Sequence, residues 1–171
     1  SDLEHSGRIV PSTLKFIDIA GLVKGASQGQ GLGNQFLGHI RGVDAIAHVV
    51  RLFQDPDVVH VEGTIDPVGD LETILTELML ADLEMLEKRR DKAHKLARSN
   101  DPDAKLEYET IRDLADQLAE GKTPVYDKEN PKVVELVRSL GLLTVMPAFV
   151  CANTDENTFR NFADDPKAKA L

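Results

Sequence analysis

The chain has one cysteine, no tryptophan and no surplus of positive charge. The lone Cys151 excludes an intramolecular disulfide and fits a reducing compartment. Against 29 acidic residues stand 20 Lys and Arg, a formal charge of -9. That balance argues against broad, non-specific nucleic-acid binding, though a local basic patch is still open. No apolar run approaches the roughly 20 residues of a membrane span. The N-terminal Ser1–Gly7 is polar, with no visible signal peptide. Neither a membrane nor DNA is expected as a partner. The sequence also lacks a phosphate-binding loop, Gly-x4-Gly-Lys-Ser/Thr. Its nearest approach, Gly121-Lys122-Thr123, has Asp116 where the first glycine belongs and follows an amphipathic helix rather than a strand. Gly121 reads better as a helix terminus. At 171 residues the chain fits one domain, or one domain carrying an insertion.

What is present centres on Thr13–Asn34. Residues 1–11 are polar and uninformative. Leu14, Phe16 and Ile17 then predict a mostly buried strand over Thr13–Ile17, which ends at Asp18. Asp18-x-x-Gly21 follows, with further glycines at 25, 29, 31 and 33. Gly29-x-Gly31 leads to Asn34, so this is not a dinucleotide fingerprint. Asn34 is a candidate N-cap, and Phe36, Leu37, Ile40 and Val43 have helical spacing. Asp44–Phe53, apolar nearly throughout, suits a parallel strand covered on both faces. Strand, loop, helix and strand make a βαβ unit, so the fold class is α/β with a parallel sheet.

Residues 54–69 contain Pro56, Pro67, Gly63 and Gly69 and read as a loop without helix. From Asp70 to about Ser99 neither Gly nor Pro occurs. Leu71, Leu75, Leu78 and Met85 recur at helical intervals, as do Met79, Leu86, Ala93 and Ala97. Acids lead and bases follow along this helix, which complements its macrodipole. After the turn at Asn100–Asp103, a second helix repeats Ala104, Tyr108, Ile111, Ala115 and Leu118 as a heptad-like seam. The pair predicts an antiparallel hairpin. A third helix starts at Asn130-Pro131 and stops at Gly141. Leu143–Asn153 returns to strand chemistry, and residues 154–171 are polar with helical potential. The expected division is therefore an α/β part over 1–68, a helical insertion over 69–142, and the α/β part resumed over 143–171.

The chemistry follows from placement. A strand ending in Asp18 and opening into glycines suits a switch that senses phosphate and Mg2+. The carboxylate offers the oxygen ligand a hard cation takes. Gly21 offers a backbone N–H to a γ-phosphate on a loop free to flip. The plainer reading is an Asp that caps a turn. At the far end, Asn153-Thr154-Asp155-Glu156 follows a strand, where nucleotide switches read the base. The guanine-selective form places Asp fourth, to accept both guanine N–H donors. Here Glu156 stands fourth and Thr154 second, which weakens the case for guanine. Taken alone the tetrapeptide is also an Asx turn.

Together, Phe16–Ser27, Gly31–Leu37, Asp44–Arg51, Val59–Val61 with Ile65–Pro67, and Thr76–Leu83 closely resemble the Obg-like ATPases, the YchF family. The likeness runs from about residue 11 to 160. It implies a P-loop G domain with an inserted coiled coil and a C-terminal TGS domain. It also implies ATP hydrolysis, relaxed guanine preference and association with the ribosome. By the same resemblance Asp18 is the magnesium and switch-II aspartate and Gly21 the γ-phosphate sensor. Asn153, Thr154 and Glu156 match the base-reading motif. Leu22 stands where many GTPases carry a water-orienting Gln, so another group must position the nucleophile. His60 matches the loop histidine proposed for that task, and its ordinary pKa near 6.5 suits it. Between Val59 and Val61 it could equally face solvent.

The family's P-loop strand would precede residue 1 and its TGS domain would follow Leu171, with switch I missing or incomplete. The expectation is a fragment showing little nucleotide binding alone, from a cytoplasmic, ribosome-associated ATPase with Mg2+ as cofactor. The basic cluster Lys88, Arg89, Arg90, Lys92, Lys95 and Arg98 is a candidate ribosomal-RNA contact, or else a solvated helix end. A non-enzymatic interaction module built on the hairpin, and a GTPase, are the competing readings.

Overall fold

The computed structural model describes residues 12–18, 38, 40–53 and 65–171. Strand β1 (Ile46–Arg51) is followed by helices α1 (Pro67–Leu96), α2 (Pro102–Ala119) and α3 (Pro131–Leu140). Strand β2 (Ala148–Asn153) and two short helices, α4 (Glu156–Arg160) and α5 (Pro166–Ala170), complete the chain. Gly38 and Ile40 are also helical, in keeping with the helix expected ahead of β1.

Four helices start alike. Asp66, Asp101, Asn130 and Asp165 each precede a proline, and each side chain accepts a backbone N–H from the first turn. Proline at N1 sacrifices no hydrogen bond, because that N–H has no helical partner, and the Asx oxygen satisfies the next ones. This cap overturns the expected loop through Gly69. The Asp66 carboxylate accepts from the Gly69 N–H at 3.1 Å. A Cβ at 69 would lie 2.5 Å from the Asp66 Oδ2. Glycine lets the cap close, so Gly69 completes the first turn of a helix here instead of breaking one.

Helices α1 and α2 run antiparallel. Near their joined ends Arg89 donates to Glu107 at 3.3 Å, and the His94 and Tyr108 rings lie 5.0 Å apart. At the open end Thr76 and Met79 share a groove with Leu118 and Ala119. The main core joins Leu86 and Ala93 to Ile111, Leu114, Ala115 and Leu118, and then to Val133, Val137 and Leu140 of α3. Removing each such leucine from water contributes about 1.5–3 kcal/mol. Ile111, Ala115 and Leu118 of the expected seam are buried, whereas Ala104 and Tyr108 are half-buried. Leu114 is buried as well, so α2 presents a broader apolar face than a two-position seam. Leu75, expected on the apolar side of α1, is exposed.

β1 and β2 are parallel, in register from Ile46 opposite Ala148 to Arg51 opposite Asn153. A parallel pair needs a crossover, and α1, α2 and α3 all lie within it. His48 and Val50 are buried on one face, while Val49 and Phe149, on the other, are 65% and 56% exposed. A second small core of Ile40, Leu78, Ala81 and Leu143 joins α1 to the sheet.

Two strand expectations need correction. Leu143–Pro147 does not extend β2, because the N–H groups of Leu143 and Thr144 are engaged by Asp82 instead of a ladder. Thr13–Ile17 is not a strand, and Leu14 and Phe16 are 78% and 76% exposed. An apolar segment becomes a strand by pairing, and the sheet among the described residues consists of β1 and β2 alone.

Candidate functional site

The carboxyl ends of β1 and β2 lie side by side. Arg51 stands opposite Asn153, and the Leu52 N–H donates to the Asn153 carbonyl at 2.8 Å. In open α/β sheets ligands bind beyond this end of the strands. After Asn153 the chain turns directly into α4. Asp155 is the N-cap of that helix, and its carboxylate accepts the Thr158 N–H at 2.7 Å. That bond is the main cause holding the Asp155 carboxyl below the usual carboxylate range. The Asx-turn reading is thus realised, but by Asp155. The other three motif residues stay clear of that bond. Asn153 is exposed and Thr154 half-buried. Glu156 opens α4 and pairs with Arg160 one turn on. Both side chains of that pair are mostly exposed, and such pairs are worth about 0–1 kcal/mol. Glu156 can therefore exchange Arg160 for a ligand at little cost.

Arg51 joins this group through the register, which the sequence does not display. Its guanidinium donates from Nε to the Phe53 carbonyl at 2.9 Å and lies 4.6 Å from the Phe53 ring centre. Both contacts hold the arginine at the strand end.

Behind the sheet, Asp82 of α1 is fully buried. It accepts the Leu143 N–H at 3.0 Å, and both the N–H and the hydroxyl of Thr144 at 2.8 Å. The Arg41 guanidinium is 3.9 Å away. Burial raises the Asp82 pKa, and the Thr144 and Leu143 hydrogen bonds and the Arg41 charge oppose that rise. Sequence reasoning did not single out Asp82. The available signal was its place between Leu78 and Leu86, four residues from each on an apolar face.

Asp18 is exposed at the end of the described segment 12–18. Gly21 and His60 lie outside the described residues. Among the described residues no three His, Cys, Asp or Glu side chains cluster to hold a metal ion. Gly121, with φ of 71°, ends α2, as expected of the false phosphate-loop match. The basic cluster divides in two. Lys88 pairs with Glu84, Arg89 with Glu107, and Arg90 lies 3.9 Å from Asp116. Lys92, Lys95 and Arg98 are exposed at the tip.

Residues 3–93 match the family model described as 50S ribosome-binding GTPase. The solved structure of the Schizosaccharomyces pombe YchF GTPase is similar, with a TM-score of 0.69 and 41% identity. That match covers 89% of this chain and 42% of the other. The class is thereby an α/β G-domain protein. The ribosome-binding ATPase YchF of Mycoplasma genitalium is 46% identical over 171 residues, all of this chain and 46% of that protein. The same-named protein of Bacillus subtilis is 45% identical over 157 residues, 92% of this chain and 43% of that protein. The chain belongs to the YchF family of 50S ribosome-binding GTPase-type proteins. It spans less than half the length of these relatives.

Proposed function

We propose that this chain supplies the switch-II segment, the base-reading turn and the ribosome-contacting hairpin of a cytoplasmic, translation-associated ATPase. The observation that carries the reading is the turn at the carboxyl end of β2. There Asn153, Thr154 and Glu156 are free of the N-cap bond that Asp155 makes. Asn153 and Glu156 then read the base. In the guanine-selective form the shorter Asp carboxylate accepts two N–H donors, which adenine lacks at those positions. Thr154 and Glu156, in place of the guanine-selective residues, favour ATP over GTP, although the fission-yeast relative is named a GTPase.

Asp18 and Gly21 form the phosphate side. A single exposed carboxylate suits Mg2+, which keeps most of its waters and takes one or two carboxylates plus nucleotide phosphates. When bound, the ion would neutralise charge on the phosphates. His60 orients the attacking water, because Leu22 has no hydrogen-bonding group. Residues 69–142 act as an inserted coiled-coil arm between two parts of the G domain, 1–68 and 143–171. Ordering of the switch by γ-phosphate and its release on hydrolysis would set ribosome affinity.

A second reading, a non-enzymatic interaction module, is favoured by one observation. The main core lies within α1, α2, α3 and Leu142, apart from the sheet. Nucleotide titration and turnover in a protein of the relatives' full length separate the two. Asn153→Ala is expected to weaken ATP binding about tenfold, the loss of one or two hydrogen bonds. His60→Ala is expected to lower turnover at unchanged affinity. Wild-type ATP binding no tighter than that of Asn153→Ala would exclude the base site, and turnover untouched in His60→Ala would remove that histidine from the chemistry.

A further inference from the structure

Within this chain β2 has little packing to hold it in place. Five of its six residues are exposed, and Ala152 alone is half-buried. A strand without a buried face is weakly specified in register. A slip of one residue would carry Asn153 away from Arg51 and turn each side chain to the opposite face.

The restraint lies ahead of the strands. Arg41 precedes Ile46 by five residues, and Leu143 precedes Ala148 by five. Ile46 and Ala148 are register partners, so Arg41 and Leu143 are equally far from the start of the ladder. Both reach one carboxylate oxygen. Asp82 Oδ1 accepts the Leu143 N–H at 3.0 Å and lies 3.9 Å from Arg41 Nη2. Oδ2 takes the Thr144 N–H and hydroxyl, both at 2.8 Å. The Leu143 bond is buried and the two Thr144 bonds are partly buried, where an unmade one is costly, and they fix the lead of β2 lengthwise against α1. The Pro147 carbonyl then accepts the Ile46 N–H at 2.9 Å, the first bond of the pairing.

We propose that Asp82 is a register clamp, a positioning residue that fixes β2 against β1 and so keeps Asn153 beside Arg51 in the base-reading turn. This rests on the reading of Asn153, Thr154 and Glu156 as the base site. Because Asp82 belongs to α1, the arm and the turn are held by the same side chain.

The test is steady-state ATPase kinetics in a protein of the relatives' full length, for Asp82→Asn, Thr144→Val and Asn153→Ala. Asparagine keeps one acceptor oxygen but presents an NH2 to donors, so half of the clamp is lost. A displaced turn weakens ground-state binding of the base. Asp82→Asn is expected to raise KM for ATP about tenfold with kcat changed less than about twofold. Thr144→Val, which deletes one of the donors, is expected to raise KM by a smaller factor. A merely structural role would instead reduce the folded fraction, lowering kcat at constant KM, and that result overturns the clamp. KM unchanged in Asp82→Asn but raised in Asn153→Ala also overturns the clamp and leaves the base site standing. KM unchanged in both overturns the base site and the clamp together. Should Asp82→Asn fail to fold, Thr144→Val decides by the same criterion.

Discussion

In a protein of the relatives' full length, replacing Lys92, Lys95 and Arg98 together by alanine is expected to remove most of the electrostatic part of the proposed ribosome binding. The choice of residues comes from the structure. Lys88 and Arg89 have their charge offset locally by Glu84 and Glu107, and Arg90 lies near Asp116. The other three are exposed where α1 ends and turns towards α2. Lys92 and Lys95 share one side of the helix at a spacing of three, and Arg98 lies in the turn just past it. If each neutralises one phosphate, each contributes about 0.7–0.9 to the slope of log affinity against log salt. Losing all three lowers that slope by about 2–3, or about a hundredfold in affinity near 0.15 M salt. The assay is co-sedimentation with ribosomes across about 0.05–0.3 M salt. The paired set serves as a comparison, since Lys88→Ala with Arg89→Ala breaks two partly exposed ion pairs worth about 0–1 kcal/mol each. A slope unchanged by the triple substitution, or abolished by the paired set alone, would refute the argument from exposure.

Two further expectations concern stability. Leu86→Ala removes a fully buried side chain from the main core and is expected to cost about 3–5 kcal/mol. Denaturant unfolding should show a lower midpoint at unchanged slope, and a cost under about 1 kcal/mol would mean that the core is not packed around Leu86. His48 is buried in β1, and burial lowers its pKa from the usual value. Below about pH 6.5 the unfolded chain then binds a proton that the folded chain refuses, so stability should fall as pH drops through that point. His48→Gln should flatten this part of the pH profile, and a wild-type profile already flat there would contradict the burial argument.

The sequence by itself determined the local structure of the second half and the family. Asx-Pro pairs marked where α2 and α3 begin, because a cap and a fixed φ are local chemistry, while the same signal at Asp66-Pro67 was masked by the neighbouring Gly69. Gly141 marked the end of α3 with its positive φ. The hairpin was legible from apolar spacing, and Asn153–Glu156 from its place after a strand. Tertiary structure decided the rest. Only the fold could assign Asp155 to the cap and thereby leave Glu156 clear of it. Only strand register could bring Arg51, about a hundred residues away in sequence, beside Asn153. The division of the basic cluster depended on which acids α2 carries opposite it. Asp82 looked like one more acid on a long helix, since nothing local reveals that two backbone N–H groups from residues 143 and 144 will bond to it. Caps and turns are settled by neighbours in the chain. Strand partners and buried polar bonds are settled by neighbours in space, as the unpaired Leu14 and Phe16 also demonstrate.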